Sequence, residues 1–433
     1  MLQRIFAYTY PNLAEAPRRF LGFIVFNVVS WHSLMGPALV LFARTLNMPA
    51  SWIGWLLAAM PLTMLLVIFT EPLVQRLGPK RLLLTAWFVR DCVACVIFLL
   101  PWAYHHGGEH WGWAILSAAT VGFCVVRALG AGGWLPWVYE FVPEAQRALY
   151  FSAETAITQL VIVLVNLAHT IFLHGNPGLD RFIAIYAVGI LAGFISLRHL
   201  EKVPGGEPMV MTAASPTAHT SWRHVLKDRA FLKFVLTISV GFMALTWFGA
   251  SVILFLRDGL RMSPNTIMFL MVVGSLSIFL MIRASVGLAE RRRVEITLAV
   301  MLVLHACAVA VFLFFQRYHP LLLLVFAPLV AVTNISGASF SVLAHRVMLE
   351  RISSAWRVSY TLVWTVATSL GLGLTPILAG WVIQQGGAWG YRACFILSIL
   401  GCFGTAAFLL LSRGMLATVY IPPGQAEASE KGG

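Results

Sequence analysis

Long apolar stretches alternate with short polar ones along most of the chain. A helix that crosses a membrane needs about 20 mainly apolar residues, and these stretches approach or exceed that length. The pattern predicts twelve spans, at residues 20–43, 52–72, 82–104, 111–136, 151–173, 181–198, 230–255, 265–288, 294–316, 319–345, 359–384 and 391–412. Because twelve is an even number, both termini are expected on the same side of the membrane.

Composition agrees with this pattern. Hydrophobic residues make up 59% of the chain and charged residues 11%. A soluble domain has about 45–50% hydrophobic and about 25% charged residues. The apolar stretches are continuous and lack the ten-residue alternation that is typical of membrane β-barrels. The predicted fold class is therefore an all-α membrane protein with twelve transmembrane helices.

The basic residues are distributed unevenly between the loops. The segments on the same side of the membrane as the N-terminus hold 21 Lys and Arg residues, and the segments on the other side hold 6. Because cytoplasmic loops carry the excess of Lys and Arg, both termini are expected in the cytoplasm, with the spans in the inner membrane. The net charge of +13 is thus a topology signal, so we expect anionic lipid, and not nucleic acid, as a partner.

One long polar stretch divides the predicted spans into two sets of six. We expect an N-terminal six-helix half at residues 1–199, a cytoplasmic linker at 200–228, a C-terminal six-helix half at 229–415 and a disordered cytoplasmic tail at 416–433. A short repeat supports this division, because four residue types recur at a constant offset of 210 in the loops before spans 5 and 11. The matched pairs are Glu140 and Glu350, Ala145 and Ala355, Arg147 and Arg357, and Tyr150 and Tyr360.

The six-plus-six arrangement, the central linker and the repeat resemble the major facilitator superfamily of secondary transporters, over about residues 15–415. The loop 71–80 keeps Arg76, Gly78 and Lys80 of that family's Gly-x-x-x-Asp-Arg-x-Gly-Arg-Lys motif, with Glu71 and Gln75 at the Gly and Asp positions. The resemblance implies two pseudo-symmetric halves that rock about a central site by alternating access.

Two further segments bear on the resemblance. The segment 127–133 on span 4 is similar to the family's Arg-x-x-x-Gly segment with a shifted glycine pattern, and span 5 lacks the Gly-Pro signature of drug/proton antiporters. The charged loops are predicted to form a cytoplasmic gate. Its candidate residues are Arg76, Lys80, Arg81, Glu140, Arg147, Glu350 and Arg357.

Charges inside the spans are candidates for proton coupling, because each costs about 2.5–3.5 kcal/mol to insert and faces a cavity or a partner. At the helical rise, Arg90 and Asp91 lie about 12–14 Å deep and Arg127 about 15 Å deep, with Glu154 one turn inside span 5. We expect Arg127 to pair with Asp91 or, less directly, with Glu154. The pair is either purely structural or holds the proton carrier, and His32 near the centre of span 1 is the competing carrier.

Polar and aromatic residues near the middle of the spans are the candidate substrate ligands. Span 5 carries a polar stripe that includes Gln159 and Asn166, and span 11 carries an interrupted one that includes Thr368. Such residues either bond to neighbouring helices or line a water-filled path, and the tryptophans either stack on a sugar or aromatic substrate or fill the core. The candidates are Asn27, Trp31, His32, Gln159, Asn166, Trp247, Asn334, Trp364 and Thr368.

No nucleotide-binding Gly-rich loop and no nucleophile with an adjacent base is recognisable, and the His-containing loop 105–110 is expected to be too flexible for a metal site. We therefore expect no cofactor, no metal and no enzyme. The function expected is secondary transport of a sugar-like or anionic small molecule, coupled to a proton or another ion, by a monomer. The alternatives are efflux of amphipathic compounds, a membrane-embedded enzyme, and a non-transporting receptor or assembly factor on the same fold.

Overall fold

The computed structural model describes residues 2–175, 177–208, 222–291, 294–351 and 357–412. Side chains are described within these ranges except at 2–3, 148, 222–224, 282–291, 349–351 and 357–358. The predicted tail, residues 209–221 of the predicted linker and the side chains of Glu350 and Arg357 therefore lie outside the described residues.

Twelve helical spans are long and apolar enough to cross a membrane, which confirms the predicted number. The described ranges contain no strand. In chain order, spans 1 to 12 consist of the helices Glu15–Met35 with Pro37–Thr45, Ala50–Thr63 with Met64–Phe69, Pro79–Ala94 with Cys95–Leu99 and Leu100–Gly107, Glu109–Ala131, Arg147–Phe172, Leu179–Glu201, Arg229–Leu254 with Phe255–Gly259, Pro264–Arg291, Val294–Phe312, Leu323–Arg351, Arg357–Gly386 and Ala388–Leu411. Shorter helices outside the spans are Leu2–Thr9, Glu71–Leu77, Trp134–Phe141, Glu144–Gln146, Trp222–Lys227 and Pro320–Leu322.

Span 1 is broken two thirds of the way along. Gly36 ends its first helix in an extended conformation and donates its N–H to the His32 carbonyl. Pro37 then starts the second helix, at a position where its missing N–H has no cost. The break places His32 in the last turn of the first helix, near the middle of the bundle.

The bundle has two ends, which we name by their loops. The linker face is the end at which residues 202–208 lie after span 6, and the opposite face is the end that carries the turn between spans 1 and 2. Because the spans alternate in direction, Glu15 and Leu411 both lie at the linker face.

The apolar cores differ between the two faces. At the opposite face, one continuous core joins spans 1–6 to spans 7–12, and it includes Phe42, Phe182, Phe248, Phe326 and Phe395. At the linker face the two halves have separate cores. The first contains Phe20, Phe23, Trp137 and Tyr150, and the second contains Phe231, Phe234, Tyr360 and Trp364. The described part of the chain is therefore packed closed at the opposite face, with two separate cores at the linker face.

Two helix pairs form the seams between the halves: span 2 packs against span 11, and span 5 against span 8. The first seam is very close, because a Cβ at Gly54 would overlap the Pro376 carbonyl and one at Gly380 would overlap the Ala50 carbonyl. Small residues allow helix backbones to approach in this way within a membrane.

Candidate functional site

A buried hydrogen-bonded chain crosses between the halves at the middle of the bundle. His32 Nε2 of span 1 lies 2.8 Å from Asn166 Oδ1 of span 5, and Asn166 Nδ2 donates to Ser275 Oγ of span 8 over 2.9 Å. The Ser275 hydroxyl in turn donates to the Met271 carbonyl at 2.8 Å. We call His32, Asn166 and Ser275 the central bridge.

The central bridge fixes which nitrogen of His32 carries hydrogen. A carbonyl oxygen can only accept, so Ser275 gives its one hydroxyl hydrogen to Met271 and accepts from the Asn166 amide. The amide oxygen of Asn166 therefore faces His32, and His32 Nε2 must be the donor. His32 Nδ1 is buried and has no hydrogen-bond partner among the described residues, so it is the ring nitrogen that can take up a second proton without breaking a hydrogen bond.

A second histidine lies beside the bridge. His169 follows Asn166 by three residues on the same face of span 5, and its Nε2 lies 3.4 Å from Ser33 Oγ of span 1. His169 was not among the substrate ligands predicted from the sequence. Its signal was the spacing from Asn166, which puts both side chains toward span 1.

A cavity of about 310 Å³ lies beside the bridge between spans 7, 8, 9 and 10. Its walls are mostly apolar, and Met271, whose carbonyl ends the bridge, is one of them. The polar lining residues are His305, Thr333 and Asn334. This volume is at the lower end of the range of small-molecule pockets, about 300–1,000 Å³.

The predicted aromatic ligands separate into two groups. Trp31 is half-buried and meets the His32 ring edge-on, with 5.4 Å between ring centroids. Trp247 is half-buried against the opposite-face core and is not among the residues that line the cavity. Trp364 instead lies in the linker-face core, stacked on Phe234 at 5.8 Å. Of the three tryptophans, Trp31 is therefore the one in contact with the central bridge in this conformation.

The remaining predicted polar ligands differ in how far they are already bonded. Thr368 donates to the Trp364 carbonyl of its own helix, and Asn334 donates to the Val330 carbonyl while lining the cavity. Gln159 is half-buried on span 5. Asn27 is bonded within the first half, as described next.

The predicted proton-coupling residues Arg90 and Asp91 form a fully buried ion pair with each other, at 2.9 Å and with no exposed side-chain surface. The guanidinium also lies over the rings of Trp87 and Phe123, at 5.0 and 4.7 Å from their centroids. Asn27 Oδ1 accepts from Trp87 Nε1 at 2.7 Å and from Arg90 Nη1 at 3.0 Å. These side chains form an interior polar cluster within the first half.

The expected pairing of Arg127 with Asp91 or Glu154 is wrong. Arg127 Nη1 instead lies 3.7 Å from Met64 Sδ of span 2, and no carboxylate pairs with Arg127 among the described residues. Depth along the membrane is similar for Asp91 and Arg127, but ion pairing depends on the direction in which each side chain leaves its helix. Glu154 is also unpaired within the described ranges, and its carboxylate lies beside the Tyr150 hydroxyl one turn earlier.

Two of the predicted gate residues hold the start of the linker. Lys80 Nζ donates to the Val203 carbonyl at 2.7 Å, and both Glu140 carboxylate oxygens accept from the Gly206 N–H at 3.0 Å. Trp137, which sequence reasoning did not select, donates to the Pro204 carbonyl at 3.0 Å. We call residues 203–206 the linker strap.

The other described gate residues are less constrained. Arg147 lies over the Tyr139 ring at 4.8 Å and is 4.0 Å from Glu144, while Arg76 and Arg81 are exposed.

An ion pair joins the halves at the opposite face. Arg44 Nε of span 1 lies 3.0 Å from Asp258 Oδ2 of span 7, and the Tyr391 hydroxyl of span 12 donates to the same carboxylate at 3.4 Å. Ser51 and Gln384 also hydrogen-bond across this face, between spans 2 and 11. Neither Arg44 nor Asp258 was among the residues predicted from the sequence, because nothing local links two residues 214 positions apart.

Within the described residues no group of three or more His, Cys, Asp or Glu could hold a metal ion. No curated protein sequence matches the chain significantly. Solved structures do share its fold. A point mutant of the nucleoside transporter NupG is 12% identical with a TM-score of 0.66, and the match covers 91% of this chain and 98% of that one.

Two further structures give similar values. A bacterial homologue of the human lysosomal transporter Spinster, in an inward-facing and occupied conformation, is 14% identical with a TM-score of 0.64, covering 94% of this chain and 98% of that one. A D-xylose-proton symporter is 15% identical with a TM-score of 0.64, and the match covers 91% of this chain and 96% of that one. At these identities the similarity establishes the fold.

The sequence profile of the Major Facilitator Superfamily matches residues 20–362, which is most of the chain. With the twelve spans and the shared fold, this match confirms the family resemblance inferred from the loops and the repeat. The chain is a multi-pass membrane transporter of small solutes and not an enzyme, and it belongs to the Major Facilitator Superfamily.

Proposed function

We propose that this protein is a secondary transporter that carries a small polar or anionic organic solute through the centre of the bundle, coupled to proton movement. The observation that carries the proposal is the central bridge of His32, Asn166 and Ser275, which links the two halves beside a cavity of about 310 Å³. A solute that replaces one of these hydrogen bonds changes the interaction between the halves directly.

Alternating access requires that the closed face can open while the other closes. The shared core at the opposite face and the separate cores at the linker face support a state that admits solute from the linker face. Transport then requires the Arg44–Asp258 pair and the two seams to open. A solute can shift this equilibrium only by binding one state better than the other.

The bridge and cavity favour a solute with hydrogen-bonding groups on a compact body. Amide, imidazole and hydroxyl groups occur among mostly apolar walls, which is the usual composition of a small-molecule site. Arg127, on span 4 and outside the cavity lining, is the candidate contact of the first half for an anion. It is half-buried without a carboxylate partner among the described residues, and a guanidinium removed from water is costly unless it is paired.

His32 is the best-placed proton carrier in this arrangement. Its Nε2 is occupied as a donor to Asn166, and its Nδ1 is open, so protonation at Nδ1 adds a charge without breaking the bridge. Asp91 is less well placed, because its carboxylate already pairs with Arg90 inside one half. Glu154 has no ion-pair partner among the described residues and is the second candidate.

The test is transport in proteoliposomes by the purified chain. Thermal-shift screening against sugars, organic acids and lipophilic cations first identifies a solute, since a ligand raises the stability of the state it binds. Uptake of that solute is then measured with a pH gradient and as exchange at equal pH. We expect His32→Gln to retain exchange and lose gradient-driven accumulation, because glutamine still donates to Asn166 but does not take up a proton.

His345→Gln is the matched control, since His345 is an exposed histidine on span 10. Glu154→Gln and Asp91→Asn are measured in parallel. If all three embedded variants still accumulate solute, proton coupling at these residues is wrong and uniport or another coupling ion is the better conclusion. Absence of flux for every solute that binds would instead favour a receptor or assembly factor.

Efflux of amphipathic compounds is the second candidate, and the apolar majority of the cavity lining favours it. Stabilisation by lipophilic cations and not by sugars or organic acids would support this alternative.

The orientation of the bundle belongs to the same proposal. The excess of Lys and Arg in the loops supports a cytoplasmic linker face in the inner membrane, with both termini in the cytoplasm. The loops that contain Arg147 and Arg357 then form the cytoplasmic gate. A reporter fused after Gly433 should be active in the cytoplasm, and activity outside it would contradict this orientation.

A further inference from the structure

A basic pocket lies at the linker face, away from the central bridge. Its volume is about 500 Å³, and it is enclosed by the first helix, Leu2–Thr9, and by the adjoining ends of spans 1 and 6. Its charged and titratable lining residues are Arg4, Glu15, Arg18, Arg19, His199 and Lys202. Four cationic side chains thus face one carboxylate across a concave surface.

Three contacts connect the elements around this pocket. Arg19 pairs with Glu15 at 2.6 Å and also donates to the Lys202 carbonyl at 2.9 Å, which ties the start of span 1 to the end of span 6. The His199 ring stacks on Phe26 at 5.2 Å. The lining holds four basic side chains and one carboxylate, so it carries a net positive charge.

The first helix has the features of a helix at the membrane surface. Phe6 is buried in the linker-face core of the first half, and this helix packs against span 1. Ile5 and Tyr8 point away from the protein, with 45% and 90% of their surface exposed. Apolar and aromatic side chains on the outer face of a short helix beside the membrane ends of spans are typical of a helix at the lipid interface.

We propose that this pocket binds the phosphate group of an anionic phospholipid from the leaflet at the linker face. Clustered cations in a concave surface suit a phosphodiester, which brings a negative charge and acceptor oxygens. The lipid tails then lie against the exposed apolar side of the first helix and the outer surface of spans 1 and 6. The site is independent of the transported solute and of the central bridge.

The test uses the full-length protein purified in neutral detergent. Its melting temperature is measured during titration with short-chain phosphatidylglycerol, with short-chain phosphatidylcholine and with inorganic phosphate. We expect saturable stabilisation by phosphatidylglycerol alone, weakened by salt because the interaction is electrostatic.

Arg4→Gln/Lys202→Gln is the diagnostic variant, since neither side chain makes a hydrogen bond with another described residue. At about 1 kcal/mol for each basic residue, the apparent affinity for phosphatidylglycerol should fall roughly 30-fold. Arg198→Gln is the control, because Arg198 is exposed beside His199 on the same helix end and does not line the pocket. If the double variant is poorly stable, Arg4→Gln alone is measured in its place, and the apparent affinity for phosphatidylglycerol should then fall about fivefold.

Equal stabilisation of the double variant and the parent protein by phosphatidylglycerol would overturn the proposal. A saturable shift with inorganic phosphate that matches the lipid and is lost in the same variant would also overturn it, and would identify a site for a soluble phosphate. Equal shifts with phosphatidylcholine would show that the headgroup charge is irrelevant.

Discussion

Arg44 Nε and Asp258 Oδ2 lie 3.0 Å apart and connect the corresponding ends of spans 1 and 7, the first helix of each half. Both side chains keep 27% of their surface exposed, and Tyr391 contributes a third group to the cluster. This pair occurs where the two halves share one apolar core. The attraction between its charges therefore stabilises the state that is closed at the opposite face.

Asp258→Asn should shift the protein away from the closed opposite face. Exposed ion pairs contribute about 0.2–1 kcal/mol, so the ratio of the two states should change up to about fivefold. The measurement is the distance distribution between spin labels in a background without native cysteines. One label is at His105 in the last helical turn of span 3 and the other at His319 in the loop after span 9, so each half carries one label at the opposite face.

Two controls accompany this measurement. Glu109→Gln removes a carboxylate at the same face whose partner Asn47 belongs to the same half, and it should leave the distances unchanged. Exchanging the charges in Arg44→Asp/Asp258→Arg should restore the closed distance. Distances that do not respond to Asp258→Asn would show that the apolar core alone closes this face.

Asp91→Asn should destabilise the protein strongly, because it leaves the Arg90 charge buried and unpaired. Breaking a buried pair costs about 3–5 kcal/mol, whereas replacing both partners by apolar residues is often nearly neutral. The free energy of unfolding in a detergent titration should therefore fall for Asp91→Asn and recover in Arg90→Met/Asp91→Leu. Cys92→Ser, at the exposed neighbouring position, is the control.

This experiment also separates the two interpretations of Asp91. If Asp91→Asn unfolds like the parent protein but loses gradient-driven uptake, Asp91 is a proton carrier and the pair with Arg90 has little structural role.

Gly54→Ala should open the seam between spans 2 and 11. A methyl group at Gly54 would overlap the Pro376 carbonyl, which is backbone and moves only with its helix. Overpacking costs about 1–3 kcal/mol, and here the cost falls on the state that is closed at the opposite face. The same spin-label distances should lengthen for Gly54→Ala and stay constant for Gly404→Ala, where the added methyl group meets nothing within 4 Å.

Glu140→Ala should release the linker strap. The Gly206 N–H has the Glu140 carboxylate as its acceptor, and hydrogen bonds to charged groups contribute about 1.5–3 kcal/mol. Hydrogen exchange at the Gly206 amide should therefore accelerate at least about tenfold. Glu144→Ala, which changes a side chain 90% exposed in the same loop, should leave this exchange rate unchanged. Equal rates in both variants would mean that Lys80 and Trp137 hold the strap without Glu140.

The chemistry of each stretch of the sequence was sufficient to predict the architecture. A long apolar stretch in a membrane protein must satisfy its backbone hydrogen bonds internally, so it forms a helix wherever it occurs. The twelve spans and the family resemblance could therefore be inferred from residue order alone. The depth of a residue also follows from its position in a span, which is why His32 and Asn166 were both identified near the centre.

The tertiary structure decided which of these residues meet. Asp91 pairs with its neighbour Arg90 and not with Arg127, Trp364 packs into a core and not beside the central bridge, and Asp258 joins Arg44. Each outcome depends on the rotation of a helix about its axis and on the helix packed against it. An apolar stretch in lipid determines neither the rotation of its helix nor the neighbour of that helix, because every face of the helix can be apolar. The sequence by itself thus determined the elements, their order and the depth of their polar groups, while packing between helices decided the partners.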